Sequence, residues 1–208
     1  MSVVQGSLLD DGREVEVRQL DGLVERAVLT NGAWFDLRRS WIGGAQLLFD
    51  RLSDGVDWQS ERRQMYDRVV DVPRLVAHYG GAEPLPDRSL SSMCGLLRDY
   101  YRGESGSDLR TVGLCMYRDG RDSVAWHGDR LGRGRSSDVI VAVVSFGQAR
   151  PLMLRPRGGG PSVRLLLGGG DLFVMGGSCQ RTWEHCVPKV TRSIGPRISV
   201  QFRPSGVR

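Results

Sequence analysis

Residues 196–204 read PRISVQFRP, and their alternation is strict: Arg197, Ser199, Gln201 and Arg203 fall on one face of an extended chain, Ile198, Val200 and Phe202 on the other. The segment reads as a β-strand whose apolar face packs on a neighbouring layer and whose arginines are either solvated or, inside a jelly roll, face inward. An unpaired buried charge is very costly, so the inward reading asks for an anionic ligand as well as for a sheet, and a dicarboxylate would serve. Six residues of straight strand span about 20 Å. Arg197 and Arg203 can therefore grip one small molecule only if the strand bends or the second side chain reaches back.

Working outward, the chain from about residue 110 repeats this character in short β-rich runs between glycine turns: TVGLCMY, SVAWH, DVIVAVVSF, RPLMLRP, SVRLLL and DLFVM precede RISVQFR. Seven or so short strands at this spacing indicate a sandwich or jelly roll. Upstream, Ile42, Leu47, Leu48 and Leu52 lie close to one helical face with Ser40 available as N-cap, predicting a helix over about 41–53. In DRSLSSMCGLLRDYYRG, Leu90, Met93, Cys94, Leu97 and Tyr101 recur at spacings of three and four, and Gly103 closes a second helix. The stretch between them, RRQMYDRVVDVPRLVAHYGGAEPLPD, reads as short strands and loops. The expected class is α+β, mainly β: one domain over 1–208, with helices over about 1–109 and a β core over about 110–208.

The 208 residues suffice to bury a core without disulfides or a structural metal. The four cysteines form no CxxC pair and the opening MSVVQGSLLDDGREVEV has no basic stretch followed by an apolar one, which predicts a cytoplasmic location with reduced thiols. The longest strongly apolar run, Val139 to Val144, is far short of the roughly 20 residues a membrane span needs. Net charge is +5, and Lys189 is the only lysine among 29 basic residues. Codon bias explains such arginine loading at least as well as phosphate binding does. Placement keeps the second reading open, because Arg62, Arg63, Arg68 and Arg74 share one stretch and Arg130, Arg133 and Arg135 another, and clustered arginine can hold a polyanion backbone.

The chemistry starts at AWHGDR, residues 125–130, where strand alternation points His127 and Asp129 the same way and Trp126 the other. An HxD pair is weak alone and needs a third ligand. Of the two other histidines, His185 in RTWEHCVPK lies in the β-rich half and is the better candidate, while His78 belongs to the arginine-rich stretch. Two histidines and a carboxylate on one face leave positions open on an octahedral ion, which suits non-haem Fe(II) holding an organic cosubstrate and oxygen. Zinc on the same ligands would support hydrolysis, and the three ligands alone leave both open.

Together MYRDGRDSVAWHGD, SFGQARPLMLRP, GGGDLFVMGG, TWEHCVPK and RISVQFR, in this order, resemble the AlkB family of Fe(II)- and 2-oxoglutarate-dependent dioxygenases. The resemblance covers most of the chain and is densest from Leu114 to Arg203. It implies a double-stranded β-helix, that is a jelly roll, with N-terminal helices and a lid over nucleic-acid substrate. It further implies that His127, Asp129 and His185 bind iron, that Arg197 pairs with the distal carboxylate of 2-oxoglutarate, and that Arg203 and Tyr117 contact this cosubstrate. The implied reaction consumes O2 and removes alkyl groups from bases, releasing formaldehyde, succinate and CO2.

Three positions depart from the family's pattern. Cys115 and Ser199 stand where asparagines are usual, so the hydrogen bonds to 2-oxoglutarate must be rearranged, and Leu131 stands where many repair members carry an acidic residue that reads the damaged base. Enzymes acting on a base must take it out of its stack. His127 could offer one flat face and Tyr66 or Tyr79 the other, with Arg130 and Leu131 beside the metal motif. The expected partner is nucleic acid, DNA before RNA, with no membrane and a monomeric chain. Two other functions compete: the same chemistry on a small molecule or protein side chain, and a jelly-roll binding module without catalysis.

Overall fold

The computed structural model describes residues 14–65, 68–129 and 137–207, and no side chain of 62–71. In chain order the strands and helices are β1 (Glu16–Val17), β2 (Glu25–Val28), β3 (Ala33–Arg38), β4 (Ile42–Gly43), α1 (Ala45–Gly55), β5 (Gln59–Met65), β6 (Arg68–Tyr79) and α2 (Arg88–Tyr100). There follow β7 (Leu109–Tyr117), β8 (Val124–His127), β9 (Val141–Gly147), β10 (Arg150–Pro156), β11 (Val163–Leu167), β12 (Leu172–Gly177), α3 (Cys179–Thr182), β13 (Trp183–Val187) and β14 (Arg197–Pro204). The major sheet has the order β2-β3-β12-β9-β14-β7-β6-β5 and the minor sheet β11-β10-β13-β8, all pairings antiparallel. This is the jelly roll expected, a double-stranded β-helix carrying helices on the outer face of its larger sheet.

The alternation of β14 builds two different layers. Ile198, Val200 and Phe202 are fully buried in one core with Leu48 and Leu52 of α1 and Leu90, Met93 and Leu97 of α2. Each such side chain contributes about 1.5–3 kcal/mol of hydrophobic stabilisation. The space between the sheets is divided. Over β3, β12 and β9 it is apolar, with Phe35, Val141, Val143, Phe173 and Met175 packed against Leu152, Leu154, Leu167 and Trp183. Over β14 and β7 it is polar, and there the buried Arg197, Ser199 and Gln201 face the strands that bear His127 and His185.

Several boundaries differ from the expected ones, each for a local reason. The first helix starts at Ala45 because Ile42 and Gly43 pair with β1 and Gly44 turns the chain with φ 63°, so Ser40 is no N-cap. The second ends at Tyr100, with Tyr101 and not Gly103 as C-cap, and at its start the Asp87 side chain accepts from the Ser89 N–H at 2.8 Å. In the stretch between the helices β5 and β6 pair antiparallel and extend the major sheet, and WEHCV forms a further core strand. The boundary at residue 110 therefore does not separate helices from sheet, since β2, β3, β5 and β6 precede it.

Asp36 of β3 ties the helices to this frame. Its buried carboxylate accepts from the Tyr101 hydroxyl at 2.9 Å and from two nitrogens of Arg26 at 2.8 and 2.9 Å. Cys94, Cys115, Cys179 and Cys186 are all free thiols, as expected. Among the described residues no helix is long and apolar enough to cross a membrane.

Candidate active site

β8 and β13 are neighbours in the minor sheet, and their register sets His127 directly opposite His185. The two imidazole rings lie 4.3 Å apart, centre to centre. Trp126 takes the outer face, where the Arg155 guanidinium sits 4.1 Å above its ring. Gly128 has no room for a side chain: a Cβ there would meet the Gln180 carbonyl at 2.8 Å and overlap the Arg157 guanidinium. The tight path lets the Asp129 N–H donate to Gln180 Oε1 at 2.9 Å, which fixes the aspartate beside the two histidines.

The protonation states follow from the surroundings. His127 Nδ1 lies 2.8 Å from the Ala125 carbonyl, so its proton is held there and Nε2 keeps a free lone pair. Burial, and then the neighbouring His127, push the His185 pKa down to about 3, leaving a neutral imidazole at ordinary pH. Asp129 is buried, which by itself raises a carboxyl pKa, but the Arg203 guanidinium and the two neighbouring histidines together outweigh this and hold it below the usual carboxylate range. Arg203 Nη2 donates to Asp129 Oδ1 at 3.2 Å. The second oxygen, Oδ2, has no hydrogen-bond partner among the described residues and lies 4.0 Å from His185 Nε2.

That orphaned oxygen is the test of whether the residues suit a cation. A buried carboxylate oxygen that faces an imidazole nitrogen without bonding to it suits a cation held between them. As they stand, no three His, Cys, Asp or Glu side chains among the described residues close on one point as a finished metal site. The donor set and the orphaned atom nevertheless fit iron.

Across the same space Arg197 is 1% exposed. Its Nε donates to Ser145 Oγ at 2.8 Å while its Nη1 has no partner among the described residues. Burial lowers its pKa from the usual arginine range, the signature of a cation awaiting an anion. Its guanidinium carbon is 5.3 Å from the centre of the Tyr117 ring, and burial pushes that phenol up to about 12, so it remains a hydrogen-bond donor. Cys115 and Ser199 line this face, and Gln201 links them. Its Nε2 donates to Ser199 O at 2.8 Å and Oγ at 2.5 Å, and its Oε1 accepts from the Cys115 thiol at 3.8 Å.

The structure thus brings together His127, Asp129, His185, Arg197, Arg203, Tyr117, Ser199 and Cys115. Tyr66, Arg130 and Leu131 lie outside the described residues. Tyr79 is a correction: with Leu75 and Ala77 it packs on the helix-side core, the face of β6 turned away from the site. Alternation along β6 puts His78, opposite Gly113, on the site's side instead. Gln201, Ser145, Gln180 and His78 were not singled out as site residues from sequence. Gln201 had a visible signal, its place on the arginine face of β14, whereas the others depend on partners distant in the chain.

In class, this is a jelly roll with a polar inter-sheet site for one cation and one anion. Residues 56–203 match the family model described as the 2OG-Fe(II) oxygenase superfamily, and the chain belongs to the AlkB family within it. Membership implies Fe(II), 2-oxoglutarate and O2. The alpha-ketoglutarate-dependent dioxygenase alkB homolog 3 of Bos taurus is 31% identical over 180 residues, 76% of this chain and 61% of that protein. The DNA oxidative demethylase ALKBH2 of Homo sapiens is 29% identical over 178 residues, 76% of this chain and 68% of that one. The chain spans about three fifths of the length of the alkB homolog 3 proteins it matches. The solved structure of OsALKBH1 superposes with a TM-score of 0.54 at 12% identity, over 86% of this chain and 100% of its own, a likeness of fold.

Proposed function

We propose that this chain is an Fe(II)- and 2-oxoglutarate-dependent dioxygenase that removes alkyl groups oxidatively from nucleic-acid bases. The observation that carries the reading is a pair of buried polar atoms across one inter-sheet space that have no hydrogen-bond partner among the described residues: Asp129 Oδ2, which suits a cation, and Arg197 Nη1, which suits a carboxylate. His127, Asp129 and His185 would hold the iron. Arg197 and Tyr117 would take the distal carboxylate of 2-oxoglutarate, with Arg203, Ser199 and Cys115 lining the rest of its pocket.

Bound there, iron with 2-oxoglutarate and O2 supplies the oxidant that hydroxylates a C–H bond of the substrate. The protein's part is to position and to keep water out. Gln180 holds the Asp129 backbone, and the Ala125 carbonyl holds the His127 ring with Nε2 unprotonated. Arg203 keeps Asp129 ionised. A methyl on a base nitrogen, once hydroxylated, breaks down to formaldehyde and the restored base, while 2-oxoglutarate leaves as succinate and CO2.

The β5–β6 hairpin, with Arg62, Arg63, Arg68 and Arg74, would serve as lid and phosphate clamp. Tyr66, Arg130 and Leu131 remain substrate contacts on sequence grounds alone, and Tyr79 is not among them. DNA is the preferred substrate in this reading, the chain a single domain, a monomer and cytoplasmic. The test is incubation with Fe(II), 2-oxoglutarate and methylated single-stranded DNA, with His127→Ala as control. Formaldehyde and succinate in equal amounts, lost in the control, are expected. Succinate formed only with a small molecule or a protein in place of DNA would replace nucleic acid with that substrate, and no turnover with any would sink the reading.

A further inference from the structure

Arg150 opens β10 and is 0% exposed. Its guanidinium donates to three main-chain carbonyls, those of Asp119 at 2.8 Å, Asp122 at 2.9 Å and Pro188 at 3.0 Å, while its Nε has no partner. The Asp122 carboxylate is hydrogen-bonded by the Arg118 side chain at 2.8 and 3.0 Å, and with Asp119 it offsets the Arg150 charge only through space. The first two carbonyls belong to the loop entering β8 and the third to the segment leaving β13, the strands that bear His127 and His185.

Carbonyls satisfy the hydrogens of a guanidinium without neutralising its charge. The guanidinium carbon of Arg150 is 5.7 Å from the centre of the Tyr117 ring and that of Arg197 is 5.3 Å from the same point. Two buried cations thus lie near one phenol, and among the described residues Arg197 is hydrogen-bonded only to neutral hydroxyls, those of Ser145 and Tyr117. Such an excess of positive charge favours a ligand that brings more than one negative charge into the space.

Resting on the assignment of Arg197 to the distal carboxylate, we propose that Arg150 is a specificity-determining cation of the cosubstrate pocket: without touching the ligand, it favours a dicarboxylic over a monocarboxylic 2-oxoacid. Its three carbonyl contacts hold it in place and tie together the approaches to the two histidines. A unit charge about 10 Å from a carboxylate, at the effective dielectric constant of a protein site, is worth roughly tenfold in affinity.

The experiment measures binding without turnover, on the full chain with Mn(II) replacing iron and oxygen excluded. The probes are 2-oxoglutarate and 2-oxobutyrate, which shares the oxoacid end and lacks the distal carboxylate. In Arg150→Gln, 2-oxoglutarate should bind roughly tenfold more weakly with 2-oxobutyrate nearly unchanged, while Arg150→Lys, which keeps the charge, retains most of the wild-type preference. Equal loss for both ligands in Arg150→Gln, or unchanged binding of 2-oxoglutarate, overturns the proposal. Should the Gln variant not fold, Arg150→Lys decides: a kept preference for the dicarboxylate supports the role of charge, and a lost one overturns it. Wild-type protein that takes up no 2-oxoglutarate would overturn the proposed function itself, and this inference with it.

Discussion

Arg197→Met should make the ligand-free protein more stable while removing its response to 2-oxoglutarate. The arginine is fully buried, its Nη1 has no partner among the described residues, and a second buried guanidinium, Arg150, lies across the Tyr117 ring. An uncompensated buried charge costs several kcal/mol, against which the substitution loses the hydrogen bonds to Ser145 and Tyr117, together worth about 1–3 kcal/mol. The balance is a stabilisation of about 1–2 kcal/mol, or roughly 2–8 °C in Tm for a chain of this size. Binding should move the opposite way, because removing one partner of a buried, hydrogen-bonded charge pair costs about 2–5 kcal/mol, roughly 30-fold to several thousandfold in Kd. The assay is thermal unfolding with Mn(II), with and without 2-oxoglutarate, which should raise the wild-type Tm and leave the variant's unmoved. A variant less stable than wild type that keeps the ligand-induced shift would refute the reasoning, since Arg197 would then be a structural residue.

Two further outcomes follow from geometry already described. His185 titrates at about 3 in the fold against an ordinary 6.5, so the unfolded chain takes up its proton first. Metal-free protein should therefore lose stability as pH falls below about 6.5, by at most about 5 kcal/mol once pH is below about 3. The depressed Asp129 acts in the same sense, and urea midpoints against pH for wild type and His185→Gln should diverge, identical profiles counting against the burial argument. Gly176→Ala should cost about 1–3 kcal/mol, because a Cβ there would run into the Trp34 indole, which the Arg26 guanidinium pins from 3.6 Å. A wild-type denaturation midpoint in that variant would mean the ring moves freely.

What could be read in the sequence was local and periodic. The two faces of β14 were legible because a half-buried strand writes burial into alternate letters, and the HxD pair because its spacing is that of one strand face. β3 was not, since its first four residues are all buried and show no alternation. The stretch that holds β5 and β6 reads only as short strands and loops because the length of β6 comes from pairing with β7, and a strand's partner leaves no mark on its own letters. Tyr79 was misplaced because an aromatic residue beside arginines looks the same whichever face it occupies. Arg150 and Gln180 went unremarked for a related reason: their roles come from carbonyls and amides up to 51 positions away.

β14 leaves evolution little freedom. The residues that fasten the helices to the sheet and those that face the polar space between the sheets alternate along one strand, between two ladders that fix its position on both edges. Inserting one residue would turn the arginines into the oily layer and the phenylalanine into the pocket. Inserting two would spare the faces yet carry Arg203 about 7 Å along the sheet, away from Asp129. Homologues should therefore vary freely in the loops on either side of this strand and not at all in its length.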